Sequence, residues 1–125
     1  MATKITAESK LYHYRAKVTN VVDGDTIDLH IELGFDVGFD LRVRLYGVDT
    51  PEKVGATKAA GLAATAFTKA AVLGKDVTIE TIADKTEKFG RFLAKVYYDA
   101  AGVETCLNDM LISSGNAVAY FGGKK

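Results

Sequence analysis

Three short stretches of this sequence bring carboxylates and arginines together at spacings that could do chemistry. The first is VVDGDTIDL, residues 21–29. Asp25 shares the odd parity of Ile27, Leu29 and Ile31. A regular strand would point it toward the apolar side, where a carboxylate needs a partner or a metal. For this stretch alone, capping of an Asp23-Gly24-Asp25-Thr26 turn by side-chain-to-backbone bonds is the simpler reading. A helix–loop–helix calcium site is excluded, because its loop needs glycine at the sixth position and a helix afterwards. The second stretch is RVRLYGVDTPE, residues 42–52, with two arginines, two carboxylates and a threonine. Arg44 and Asp49 would lie on opposite faces of an unbroken strand, but Gly47 and Pro51 let the chain bend. The bend could gather Arg44, Asp49 and Glu52 around one cavity, and Pro51 holds Thr50 extended and fixes its carbonyl. Oxygen donors of this kind suit calcium or magnesium. Salt bridging at a strand end is the competing reading, and it contributes little. The third stretch, DKTEKFGRFLAKVY, places Arg91 at the start of a strand and reads on its own as a solvated charged loop.

The elements that must hold these residues follow from periodicity. Tyr12, Tyr14, Ala16 and Val18 alternate with His13, Arg15 and Lys17, and Ile27, Leu29, Ile31 and Leu33 alternate with polar residues. Both runs predict half-buried strands, with the Asp-Gly pair between them as a hairpin signal. Leu41, Val43 and Leu45 predict a third strand that breaks at Gly47. Ala59, Leu62, Ala63, Ala66, Phe67, Ala70 and Leu73 fall at helical spacing and predict a helix whose apolar face they form, stopped by Gly74. Two further strands are expected near 77–82 and 91–98. A short helix follows, capped by Thr105 and ended at Gly115, with Leu107, Met110 and Leu111 on one side. Three strands, a helix, two strands and a helix describe a mainly β protein with helices, in the order of a five-stranded Greek-key OB barrel.

Composition limits the alternatives. The chain has 125 residues, 48% of them hydrophobic and 26% charged. That is enough for one domain, residues 1–125 with a core of about 11–121, and it is too apolar for a disordered chain. No apolar run reaches the length of a membrane span, so no membrane partner is expected. MATKITAESK lacks the apolar stretch of a signal peptide, and a cytoplasmic or virus-encoded intracellular setting is expected. The single cysteine, Cys106, excludes an internal disulfide, and no Cys/His cluster exists for zinc. Sixteen basic and sixteen acidic residues leave zero net charge. Any nucleic-acid function must therefore come from a local constellation.

Taken together and in this order, VVDGDTIDL, RVRLYGVDTPE and KFGRFLAKVY resemble the staphylococcal nuclease family, from about Val18 to Tyr120. The resemblance implies an OB-fold, calcium-dependent nuclease that hydrolyses phosphodiester bonds of DNA, RNA or both and leaves 3′-phosphate ends. It implies Asp25, Asp49 and the Thr50 carbonyl as ligands of Ca2+. Glu52 is implied as general base, and Arg44 and Arg91 as the two arginines that clamp the scissile phosphate. None of these six positions is substituted. Lys88 and Tyr120 are further candidates for substrate binding, Tyr120 by base stacking, although packing against the barrel would serve it equally. Phe89 and Glu87 depart from the family pattern, which has tyrosine and aspartate there in a secreted member. No obligate protein partner is implied. Neither clamp arginine is expected in the apolar core, so lysine at either position should leave folding intact. The competing function is a non-catalytic OB module that binds nucleic acid or a partner, which zero net charge favours and the complete residue set opposes.

Overall fold

The computed structural model describes residues 11–86 and 92–120. Alternation sets the first hairpin. β1 (His13–Asp23) and β2 (Thr26–Gly34) are antiparallel and joined at Gly24-Asp25. Ala16 and Val18 point inward from β1, but the next inward residue is Val21, because the register slips between Val18 and Asn20 and again between Val21 and Asp23. Such bulges bend a strand and re-aim its end, and here the re-aimed end carries Asp25. β3 (Val37–Leu45) pairs with β2 and starts four residues before the predicted Leu41. The hairpin is correspondingly longer.

After the crossover helix come β5 (Asp76–Thr86) and β6 (Phe92–Ala100). β5 pairs with β1 and β6 with β5, and β6 returns parallel to β3, matching Val43 with Phe92 and Leu45 with Ala94. That last pairing closes β1, β2, β3, β5 and β6 into a five-stranded barrel, as expected. Val18, Ile27, Leu29, Val43, Leu45, Ile79 and Val96 fill it and are buried. Truncating one of these to alanine would leave a cavity costing about 2–5 kcal/mol for a leucine. Two small pairings were not legible in the sequence. β7 (Val103–Cys106) extends β6, and β4 (Val48–Asp49) pairs with β8 (Val118–Ala119).

The helices require two corrections. α1 (Lys58–Val72) has the expected span, and Gly74 beyond it takes a positive φ of 75°. Phe67 packs against the core as predicted, but the fully buried residues are Gly61, Ala64, Thr65, Thr68 and Val72, while Leu62 and Leu73 are exposed. The reason is steric. α1 lies across backbone at the barrel end, where only small side chains fit: a Cβ on Gly24 would meet Ala64 Cβ at 2.9 Å. The hydroxyls it buries are satisfied, Thr65 donating to the Gly61 carbonyl (3.0 Å) and Thr68 to the Gly24 carbonyl (2.8 Å). α2 (Leu107–Ser113) begins after Cys106, and Thr105 belongs to β7 rather than to the cap. Leu107 and Leu111 are buried and Met110 only partly. Among the described residues no helix is long and apolar enough to cross a membrane.

Candidate active site

The site is assembled at the barrel end beneath the first turns of α1. Gly24 is squeezed between α1 and the loop after β4, since a Cβ there would also lie 2.9 Å from Thr50 Cγ2. This contact presses the β1–β2 turn against the Thr50 segment. Asp25 is buried as its parity predicts. Its carbonyl accepts from the Leu45 N–H (2.8 Å), which ties the turn to the end of β3. Its carboxylate accepts from the Thr26 hydroxyl (3.1 Å), the Thr50 N–H (3.2 Å) and Arg44 Nη2 (3.5 Å).

Arg44 stands opposite Thr26 in the β2–β3 ladder and beside Leu93 across the closing seam. After Leu45 the chain turns at Gly47, where φ is 78° and a side chain would be strained. The turn reverses the parity that separated Arg44 from Asp49. Asp49 Oδ1 consequently accepts from the same Arg44 nitrogen at 3.2 Å. The Tyr120 N–H donates to the Gly47 carbonyl (3.0 Å), and the Arg44 guanidinium lies 5.5 Å from the centre of the Tyr120 ring. An arginine over an aromatic face is attracted by the ring quadrupole. Arg44 is outside the apolar core as expected, but only 12% of its side chain is exposed, so its replacement should affect stability, which the sequence alone does not predict.

Glu52 is exposed on the loop between β4 and α1. Its backbone is fixed from both sides: the Thr57 hydroxyl donates to its carbonyl (2.8 Å), and Gly61 lies against the Pro51 and Glu52 carbonyls. Lys53 turns back, donating to the Val22 carbonyl (2.7 Å) and pairing with Asp23 (3.1 Å). Gly61→Ala is a sharp test of this packing. Alanine favours a helix over glycine by about 1 kcal/mol. A Cβ would, however, overlap the Glu52 carbonyl oxygen and approach the Pro51 oxygen to 2.7 Å, and overpacking costs about 1–3 kcal/mol. Net destabilisation in urea unfolding is the expected result, and a stabilised variant would show that the loop yields freely.

One positioning residue was missed. Asn108 on α2 is buried and reads from sequence as an ordinary polar residue in a short helix. Its amide donates to the Tyr46 carbonyl (2.8 Å) and the Ala94 carbonyl (3.2 Å), and it accepts from the Val96 N–H (3.1 Å). It thereby ties α2 to the residue before the Gly47 turn and to β6. The only available signal was an amide at the position one residue after buried Leu107. Arg42, by contrast, points outward and grips Asp28 (2.7 Å), whose carboxyl it holds below the usual range by that hydrogen bond. Burial pushes the Cys106 thiol up.

The structure thus brings Asp25, Arg44, Asp49, Thr50 and Tyr120 together, with Glu52 on the adjoining loop. Arg91 and Lys88, like Phe89 and Glu87, lie outside the described residues. Among the described residues no group of three or more His, Cys, Asp or Glu could hold a metal ion. The oxygen donors that remain are the Asp25 and Asp49 carboxylates, which share one guanidinium nitrogen, and the carbonyl of Thr50, whose own N–H docks on Asp25. An all-oxygen set of this kind fits a hard divalent cation and would need water to complete its shell.

Residues 42–125 match the family model described as staphylococcal nuclease homologue. The chain is 38% identical over 107 residues to a thermonuclease of Staphylococcus intermedius, covering 83% of this chain and 58% of that protein. It is 32% identical over 108 residues to a thermonuclease of Staphylococcus hyicus (84% and 59%). An uncharacterized protein of Methanocaldococcus jannaschii is 30% identical over 129 residues (86% and 60%). The chain therefore spans about three fifths of the length of these relatives. With the barrel, the three motif blocks and these matches in agreement, the chain belongs to the staphylococcal nuclease family.

Proposed function

We propose that this chain is a calcium-dependent nuclease that hydrolyses phosphodiester bonds of DNA, RNA or both and leaves 3′-phosphate ends. The observation that carries the reading is Arg44, held by Asp25 and Asp49 over Tyr120 beside the Glu52 loop. Asp25, Asp49 and the Thr50 carbonyl would hold the calcium ion. When bound, calcium supplies fixed positive charge that polarises a phosphoryl oxygen.

This chain's residues would do the rest. Glu52, exposed and on a backbone fixed by Thr57 and Gly61, accepts a proton from the attacking water. The water oxygen bonds to phosphorus, the bond to the 5′ oxygen breaks, and that oxygen is reprotonated from solvent. Arg44 and Arg91 bind non-bridging phosphate oxygens, on which charge grows as phosphorus becomes five-coordinate. A guanidinium presents two N–H groups in a plane to two such oxygens, which an ammonium cannot do. The carboxylates on Arg44 hold that fork in place before substrate arrives, so little reorganisation is left for the transition state. Tyr120 offers its ring to an adjacent base. Nothing in the chemistry of this set distinguishes deoxyribose from ribose.

The test is incubation of the purified protein with end-labelled single-stranded DNA and RNA in calcium. The expected outcome is cleavage to products whose 3′ ends require phosphatase before a polymerase can extend them. Binding without cleavage would overturn the proposal in favour of a nucleic-acid-binding module.

A further inference from the structure

Far from the Arg44 cluster, the β2–β3 hairpin ends in a patch that the nuclease reading does not use. Leu33, Phe35, Val37 and Phe39 are all exposed, and Phe35 is fully so. Leu33, Val37 and Phe39 continue the inward parity of Ile31, Leu41 and Val43 past the rim of the barrel, where no core remains to cover them. The two-residue loop is Phe35-Asp36, with φ of 54° and 60°. Such loops favour asparagine and glycine, because other side chains are strained at positive φ. A phenylalanine held there is displayed rather than packed. Every charged group from Ile31 to Leu41 is acidic (Glu32, Asp36 and Asp40), and Asp40 takes His30 as partner at 2.6 Å.

The solvent side of α1 has the complementary character. Lys58, Leu62, Ala66, Lys69 and Leu73 are exposed and lie within one stripe at helical spacing. From Lys53 through Lys75 there are four lysines and no acidic residue. Within one chain the two patches are out of reach. The end of α1 is fixed at the level of Val18 by the Gly74 N–H to Val18 carbonyl bond (2.8 Å), and Val18 pairs with Leu29. The hairpin end at Gly34 lies five residues further along β2, roughly 17 Å at strand rise.

We infer that the occupant of the hairpin tip is a second copy of this chain: the acidic, aromatic tip of one copy seats on the basic, leucine-bearing face of α1 of the next. Phe35 and Leu33 bury against Leu62, Ala66 and Leu73, while Glu32, Asp36 and Asp40 face Lys58, Lys69 and Lys75. Zero net charge removes long-range repulsion between copies, and the segregated charges orient the encounter. Nucleic acid and anionic lipid are disfavoured at the tip by its three carboxylates. The contact is heterologous, so each copy keeps one free tip and one free helix face. Association grows with concentration into chains or a ring.

Sedimentation velocity of the purified protein from micromolar to near-millimolar concentration tests this. The expected result is reversible association that weakens with added salt. Phe35→Asn should reduce the association constant about tenfold or more, while leaving the melting temperature equal or higher, since asparagine suits the turn. Leu62→Asp, on the exposed face of α1, should do the same. An equimolar mixture of the two variants should form pairs that stop at two copies, because the tip of one still fits the helix of the other. A monomer throughout the range, association unchanged by Phe35→Asn, or a mixture that stays monomeric would each overturn the inference.

Discussion

Removal of calcium by a chelator is expected to reduce DNA and RNA cleavage to background, and restoration of calcium to recover it. The argument is electrostatic. Asp25 and Asp49 place two carboxylates on one guanidinium nitrogen, with side chains only 11% and 20% exposed. Opposite charges 4 Å apart are worth about 4 kcal/mol near a protein surface. Both carboxylates rest on Arg44 Nη2, so once a phosphodiester shares the Arg44 charge the pair needs a further cation. A phosphate entering without that cation would meet them as an anion meeting anions. Binding of the ion to the folded chain alone should also raise stability, by about 2.7 kcal/mol at a concentration one hundred times its dissociation constant. Thermal unfolding in calcium and in chelator measures this independently of catalysis, and Asp25→Asn should abolish the difference. Cleavage that continues unchanged in chelator would remove calcium from the mechanism.

Arg44→Lys is expected to lower turnover about a hundredfold or more, comparable with deleting one preorganised donor at a transition state. Lysine keeps the charge and loses the fork. A single ammonium cannot meet Asp25, Asp49 and the Tyr120 ring in the same geometry. The same burial adds a stability cost of about 1–3 kcal/mol from imperfectly satisfied carboxylates. Urea unfolding should detect that cost while leaving the variant folded for assay. Turnover per folded molecule is therefore the quantity to compare. A lysine variant that cuts at the original rate would show that Arg44 serves the fold alone.

The sequence made the barrel legible because its strands alternate cleanly, and Asp25 legible because it broke that alternation. Arg44 and Asp49 were harder, since their five-residue separation conceals proximity until Gly47 turns the chain. The buried face of α1 keeps Phe67 against the core as predicted but excludes Leu62 and Leu73, for a specific reason. Hydrophobic periodicity assumes a partner surface that accepts large side chains, whereas α1 lies on the backbone of Gly24 and of Pro51-Glu52. There Gly61, Ala64 and Thr68 fit and leucines do not. The leucines instead form the face to which a second copy is assigned. Asn108 escaped notice because its value lies in three bonds to strands that are distant in sequence. Local pattern carries no trace of them.

Arg44 sits on the seam of the barrel, with Thr26 on one side and Leu93 on the other. The seam joins parts of the chain about fifty residues apart, and such pairings form only after a large loss of chain entropy. A chain that has made its first hairpin and α1 but has not closed therefore holds Asp25 and Arg44 without the neighbour that confines them. On the proposed reading, cleavage would therefore require the finished cylinder, and a chain with an open seam should not cut.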